Sequence, residues 1–186
     1  MGVSPLLSPR ARRFAGLAVA VAVVVLLLLS HDFGRADPTN NYRPLLPPDA
    51  LATGCFPLPD GARLDLPHQI RRDGDVTTPE GPRRDLFGQY DLVDRDEALA
   101  RIVAAFTAVG YTESEREDDG DAVRVVLTKG PTTVRALVAE LPHTSAETLV
   151  RGEFTLDLPV VAVAKDDPIC SDPKATKRWP RKEASR

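Results

Sequence analysis

The chain has 186 residues, 24 Lys and Arg against 27 Asp and Glu, and two cysteines, enough for one domain with extensions. Charge is unevenly spread: residues 1–13 carry +3 (Arg10, Arg12, Arg13), residues 171–186 carry +4, and 14–170 therefore carry −10 of the total of −3. An acidic body between basic ends argues against nucleic-acid binding, because the body would repel phosphate.

Residues 1–13 are a basic stub, too short to bury a core. Phe14 to Leu29 follows as 16 residues without a charged or polar side chain. At about 1.5 Å per residue a helix there spans roughly 24 Å, short of a hydrocarbon core of about 30 Å. Continuing to Phe33 gives 20 residues and takes in Ser30, His31 and Asp32; Arg12 and Arg13 can snorkel to shorten the mismatch. The expectation is a transmembrane signal-anchor over 14–33 that contacts the lipid bilayer. The arginines place its N-terminus in the cytoplasm and residues beyond it outside, in the cell envelope of a bacterium whose Lys-poor usage resembles that of a high-GC genome. The competing reading is a secreted protein cut at Gly34-Arg35-Ala36, but the apolar run is long and Arg35 falls inside the site. A lipidated Cys55, after the small residues Ala52 to Gly54, is disfavoured because 25 residues part it from the apolar run.

Residues 34–54, containing "DPTNNYRPLLPPDA", read as a Pro-rich semi-rigid linker. The extracytoplasmic domain is expected over 55–170. A short edge strand near 62–71 meets an Asp73-Gly74 turn, with Pro67 keeping it at an edge, and "TTPEGPRR" (77–84) reads as a loop. "RDLFGQYDLV" places Leu86, Tyr90 and Leu92 on one side of a strand.

"DRDEALARIVAAFTAVG" is the clearest helix. Asp94 is the N-cap, Glu97 completes a capping box, and Gly110 suits the left-handed C-terminal cap. Leu99, Ile102, Val103, Phe106 and Val109 make one apolar stripe. "YTESERE" adds a strand before an Asp119-Gly120 turn. Val123, Val125 and Leu127 then alternate with Arg124, Val126 and Thr128, and "GPTTVRALVAEL" follows through a Lys129-Gly130-Pro131 turn. In "LVRGEFTLDLP" Val150, Phe154, Leu156 and Leu158 face one way. Short connections favour an antiparallel meander, and the helix stripe needs the sheet's apolar face. The fold class is α+β: a transmembrane helix, then a small domain with one helix on an antiparallel β-meander whose outer face is polar.

Cys55 and Cys170 bracket the domain on the oxidising side, so a disulfide is expected. Closing a loop of roughly 100 residues is worth up to about 4.7 kcal/mol in the chain-entropy account. Free buried thiols are the bland alternative, and no His lies near either Cys in sequence to make a catalytic thiol.

"EREDDGDAV" (115–123) concentrates carboxylates, but its spacing is not an EF-hand, and a solvated hairpin tip explains it better than a cation site. His31, His68 and His143 lack metal-ligand spacing. No nucleophile elbow, phosphate loop or paired-carboxylate signature stands out. No catalytic residue, metal ligand or cofactor is therefore assigned. Residues 171–186 read as a basic disordered tail, in which Lys174, Lys177, Arg178, Trp179, Arg181 and Lys182 are candidate contacts for an anionic lipid surface or envelope polymer, or fold back onto the acidic body. The functional expectation is a binding or assembly module of the envelope that meets an envelope protein or anionic surface, not nucleic acid. The rival is a small hydrolase whose groups converge from distant positions.

Overall fold

The computed structural model describes residues 18–26 and 48–179, and the chain divides into two compact units, 1–39 and 40–186. In the first, residues 18–26 form a helix (α1) with every residue exposed. Among the described residues no helix is long and apolar enough to cross a membrane. Residues 1–17 and 27–47, which hold the basic stub, the ends of the expected span, His31 and most of the expected linker, lie outside the described residues.

The second unit is α+β. Its six strands are β1 (His68–Thr78), β2 (Gly81–Asp91), β3 (Thr112–Asp118), β4 (Ala122–Lys129), β5 (Thr132–Glu140) and β6 (Val150–Pro159), with the helix α2 (Arg95–Thr107) between β2 and β3. All pairings are antiparallel, in the order β1-β2-β6-β5-β4-β3. β3 to β6 are the expected meander. The hairpin β1–β2 is an addition to it, because α2 carries the chain to the far edge and the meander returns until β6 pairs with β2.

α2 forms where its pattern says. The Asp94 carboxylate accepts from the Glu97 N–H at 2.8 Å. The reciprocal half of the capping box is not made; the Glu97 carboxylate instead accepts from Arg101, one turn on. The helix ends as Tyr111 N–H reaches Phe106 O and Gly110 N–H reaches Thr107 O, with Gly110 at φ 93, a left-handed position where glycine lacks the steric cost of a side chain. Leu99, Ile102 and Phe106 are buried in one core with Val123, Val125, Leu127, Phe154, Leu156 and Leu158, and Val103 and Val109 pack against it. That core is close-fitting: a Cβ at Gly88 would sit 2.4 Å from the Phe154 ring.

α2 packs over β3, β4 and β5. The β1–β2 side of the same face is roofed by the segment before β1, through Leu58, Ala62 and Leu66, and by a C-terminal segment holding a 3-10 turn (Pro168–Ser171) and the short helix α3 (Pro173–Thr176). The disulfide Cys55–Cys170 joins these two pieces, which are 115 residues apart. Among the described residues of this unit no other element packs on the sheet's opposite face.

Several local expectations are corrected by tertiary pairing. The strand near 62–71 starts only at His68 and runs to Thr78. Asp73-Gly74 lies inside it rather than at a turn, because Asp73 is held across the hairpin by Arg84. "TTPEGPRR" is the hairpin itself, with only Pro79 and Glu80 outside the strands. Leu92 does not join Leu86 and Tyr90: the register shifts after Tyr90, and Leu92 sits at φ 66, 61% exposed. The last residues of the expected linker belong to the folded unit, with Ala50 fully buried. Within the expected disordered tail, residues 171–179 pack on the domain, because Lys177 and Arg178 find buried partners on β1; residues 180–186 lie outside the described residues.

Candidate functional site

The segment leading into β1 shapes a cavity of about 600 Å³ lined by Leu51, Leu58, Leu64, Asp49, Arg63 and His68, among others. Asp49 fixes its near wall, since one carboxylate oxygen accepts from the N–H groups of Leu51 and Ala52, each at 2.9 Å. Leu58, Ala62 and Leu66 tie the segment into the core. His68 stands where the segment becomes β1. Its Nδ1 lies 2.7 Å from the Leu66 carbonyl oxygen; a carbonyl can only accept, so Nδ1 carries the proton and Nε2 of the neutral ring keeps its lone pair. The ring meets Phe154 edge-on at 6.1 Å. Among the described residues the ionisable side chains of the lining are those of Asp49, Arg63 and His68.

A second polar constellation lies beneath the roof. Arg84 and Asp73 are fully buried and paired, with Nε–Oδ1 at 2.8 Å and Nη2–Oδ2 at 2.7 Å. Arg84 also donates to the carbonyls of Pro57 and Phe56. Arg178 donates to Asp73 at 2.9 Å and to Asp75 at 2.6 Å, and its guanidinium lies 4.1 Å from the Phe56 ring centroid. Lys177 Nζ donates to Ile70 O at 2.6 Å. Two buried charges survive only when each finds charge and hydrogen-bond partners, and here strand, hairpin partner, N-terminal segment and C-terminal segment each supply some. Sequence reading missed Arg84 and Asp73 because a local pattern assigns Asp-Gly to a turn. The only available hint was an Asp and an Arg eleven residues apart on either side of "PEG".

A third group stands near the end of α2. Tyr111 is buried and its hydroxyl makes no hydrogen bond among the described residues. Burial, then the nearby Asp60 carboxylate, pushes its pKa up to about 12. Lys129 lies 3.1 Å from Asp60 and donates to Val109 O, and holds the Asp60 carboxyl below its usual range.

The uncovered sheet face has a small apolar centre ringed by ion pairs. Phe87 and Leu137 both stand opposite Thr155 from either side of β6. Around them Arg72 meets Asp85, Arg124 meets Glu117, and Asp157 takes both Arg83 and Arg135, the latter also reaching Glu80.

Of the residues singled out in the sequence, Cys55 and Cys170 are bonded to each other. The carboxylates of 115–121 form the β3–β4 hairpin and its tip: Glu117 is paired with Arg124, and Asp118 with Arg95, which also donates to Gly120 O. No group of His, Cys, Asp and Glu able to hold a metal occurs among the described residues. The basic candidates split. Lys177 and Arg178 are turned inward, Lys174 and Trp179 are exposed, and Arg181 and Lys182 lie outside the described residues. His143 sits at φ 61 in the loop between β5 and β6, far in sequence from His68. The chain matches no protein-family profile, no curated protein and no solved structure.

Proposed function

We propose that the protein is a single-pass membrane protein whose domain, held outside the cytoplasm by residues 14–33, is a binding or assembly module of the cell envelope. The observation that carries the reading is the asymmetry of the sheet. One face is covered by α2 and the two terminal segments, while the other presents Phe87, Thr155 and Leu137 inside a ring of satisfied ion pairs. An apolar centre with a polar rim is the anatomy of a protein interface. The disulfide supports the export half of the reading, because such bonds persist in oxidising compartments. The apolar run Phe14 to Leu29 and the three preceding arginines support the anchor and its orientation.

The test is site-specific photo-crosslinking in the full-length protein in its native membrane. A crosslinker at Leu137 should give a discrete, saturable adduct, and one at exposed Glu147 should not. Equal, diffuse labelling at both positions would sink the interface. A hydrolase reading is favoured by one observation: His68, whose Nδ1 is held by the Leu66 carbonyl, lines the same cavity as Asp49. Turnover of an envelope substrate by the full-length protein, lost in His68→Gln, would establish it in place of the binding module.

A further inference from the structure

From Asp49 to Pro67 the chain forms no strand and no helix apart from one 3-10 turn, Pro59–Gly61. A loop of that length inside a compact domain is uncommon and most often serves binding. This one is pinned along its length. Cys55 is bonded to Cys170, the carbonyls of Pro57 and Phe56 accept from the buried Arg84 at 2.7 and 2.9 Å, and Asp60 pairs with Lys129 at 3.1 Å. Asp60 and Gly61 both stand in left-handed backbone, at φ 55 and 78, a strain that an aspartate keeps only where its surroundings impose it. The cavity of about 600 Å³ beside His68 is thus walled by a segment already fixed in shape.

Two features of the lining are unmatched. Leu51 and Leu64 pack against the core yet stay only half-buried where they line the cavity. Arg63 lines the same cavity, is exposed, and its guanidinium has no partner among the described residues. Every other described arginine donates to a carboxylate, a side-chain amide oxygen or a backbone carbonyl. We infer that the cavity is a binding site for an amphiphile with one apolar chain and an anionic head, such as a fatty acid. The chain lies on Leu51, Leu58 and Leu64, and the head pairs with Arg63. The volume falls in the range of small-ligand pockets, about 300–1,000 Å³, whose linings are likewise mostly apolar with a few polar groups. A guanidinium offers a carboxylate two parallel hydrogen bonds. The opposing charge in the lining is Asp49, one of whose oxygens is committed to the Leu51 and Ala52 N–H groups. Of the other acids nearby in sequence, Asp60 is held by Lys129 and Asp65 is not part of the lining. The site requires neither the membrane anchor nor the outer-face interface proposed above.

A diazirine-bearing fatty acid tests the site in the full-length protein held in neutral phosphatidylcholine nanodiscs. Irradiation should give an adduct within residues 49–68, mapped by mass spectrometry of the digested protein. Dodecanoate should compete for it, and dodecanol, with the same chain and no charge, should not at the same concentration. Dodecanoate has no bond for a hydrolase to cleave, so binding is read apart from turnover. Arg63→Gln should raise the half-labelling concentration on the order of tenfold, the loss of a charge-assisted pair, and Arg63→Lys should raise it less. Asp49→Asn, which keeps the oxygen that accepts from Leu51 and Ala52, should leave it unchanged or lower it. Arg63 has no partner among the described residues to lose, so its replacement should spare the fold, checked by an unchanged circular dichroism spectrum. Absent labelling, or adducts confined to residues outside 49–68, would overturn the site. Adducts within it that dodecanol displaces as well as dodecanoate does, or that Arg63→Gln leaves unchanged, would overturn the anionic head. Weaker labelling of Asp49→Asn would also overturn it, in favour of a zwitterionic head that needs both charges.

Discussion

The two edges of the sheet solve the same problem by opposite means. An edge strand offers unpaired N–H and C=O groups to any passing chain. At β1 the edge is covered: Asp73 N–H donates to Lys177 O, Asp73 and Arg178 form a parallel bridge, and beneath them lie the buried Arg84 and Asp73. At β3 no described segment covers the strand. Every residue from Thr112 to Asp118 is exposed, five of the seven are charged, and a register shift between Glu113 and Glu115 kinks it. Covering an edge takes long-range partners and commits charges to the interior. Charging an edge takes only local sequence and leaves the strand thinly attached.

Replacing one charge at each edge should separate them most. Asp73→Ala strands Arg84 without its counter-charge and should cost about 3–5 kcal/mol in urea unfolding followed by far-ultraviolet circular dichroism. Glu113→Ala, which breaks the exposed pair with Arg116, should cost under about 1 kcal/mol. Similar costs at the two positions would erase the distinction. Loss of the clip that holds the covered edge is next: Cys55→Ala/Cys170→Ala should cost about 2–5 kcal/mol by the same measurement, and it should raise proteolytic nicking near Trp179 before any cleavage in β3.

Arg178→Ala should cost less, about 1–2 kcal/mol, since Asp73 keeps Arg84 while losing one charged hydrogen bond and the contact with Phe56. A change as large as that of Asp73→Ala would mean the C-terminal segment, not the hairpin, carries the buried pair. At the charged edge, Glu115→Val/Glu117→Val should alter stability by only about 0.5 kcal/mol yet promote self-association, seen by sedimentation in detergent, because the edge loses its repulsive charges. A monomeric variant would show that the kink alone protects β3.

The smallest effect at neutral pH belongs to Tyr111, just before β3. Its hydroxyl has no hydrogen-bond partner among the described residues, so Tyr111→Phe should be nearly neutral at pH 7. Its folded pKa of about 12 lies above the ordinary value of 10.0. The stability this shift contributes is fully present below pH 10 and is lost as pH rises toward 12. The wild type should therefore weaken over that range more steeply than Tyr111→Phe, and parallel slopes would remove Tyr111 as the cause.

Much of the covered face was legible. Asp94 announced the start of α2, Gly110 its end, and the spacing of Leu99, Ile102 and Phe106 its buried side. Alternation in β4 and β6 gave their inward residues, and the bracketing cysteines gave the bond between the domain's ends. These follow from periods of 3.6 and 2 and from capping, which act over a few residues. The cavity beside His68 was not legible, since its walls come from a segment with no regular period.

What the sequence determined by itself was therefore local: one capped amphipathic helix, alternating strands, a charged β3 and an acidic body between basic ends. Tertiary structure decided the rest. It inserted β6 between β2 and β5, turned an Asp-Gly apparent turn into the middle of an edge strand, and drew Lys177 and Arg178 inward from an apparent tail. The physical reason is that a charge may be buried only where distant residues supply its partners, and the stretches around Asp73, Arg84 and Arg178 do not encode one another locally.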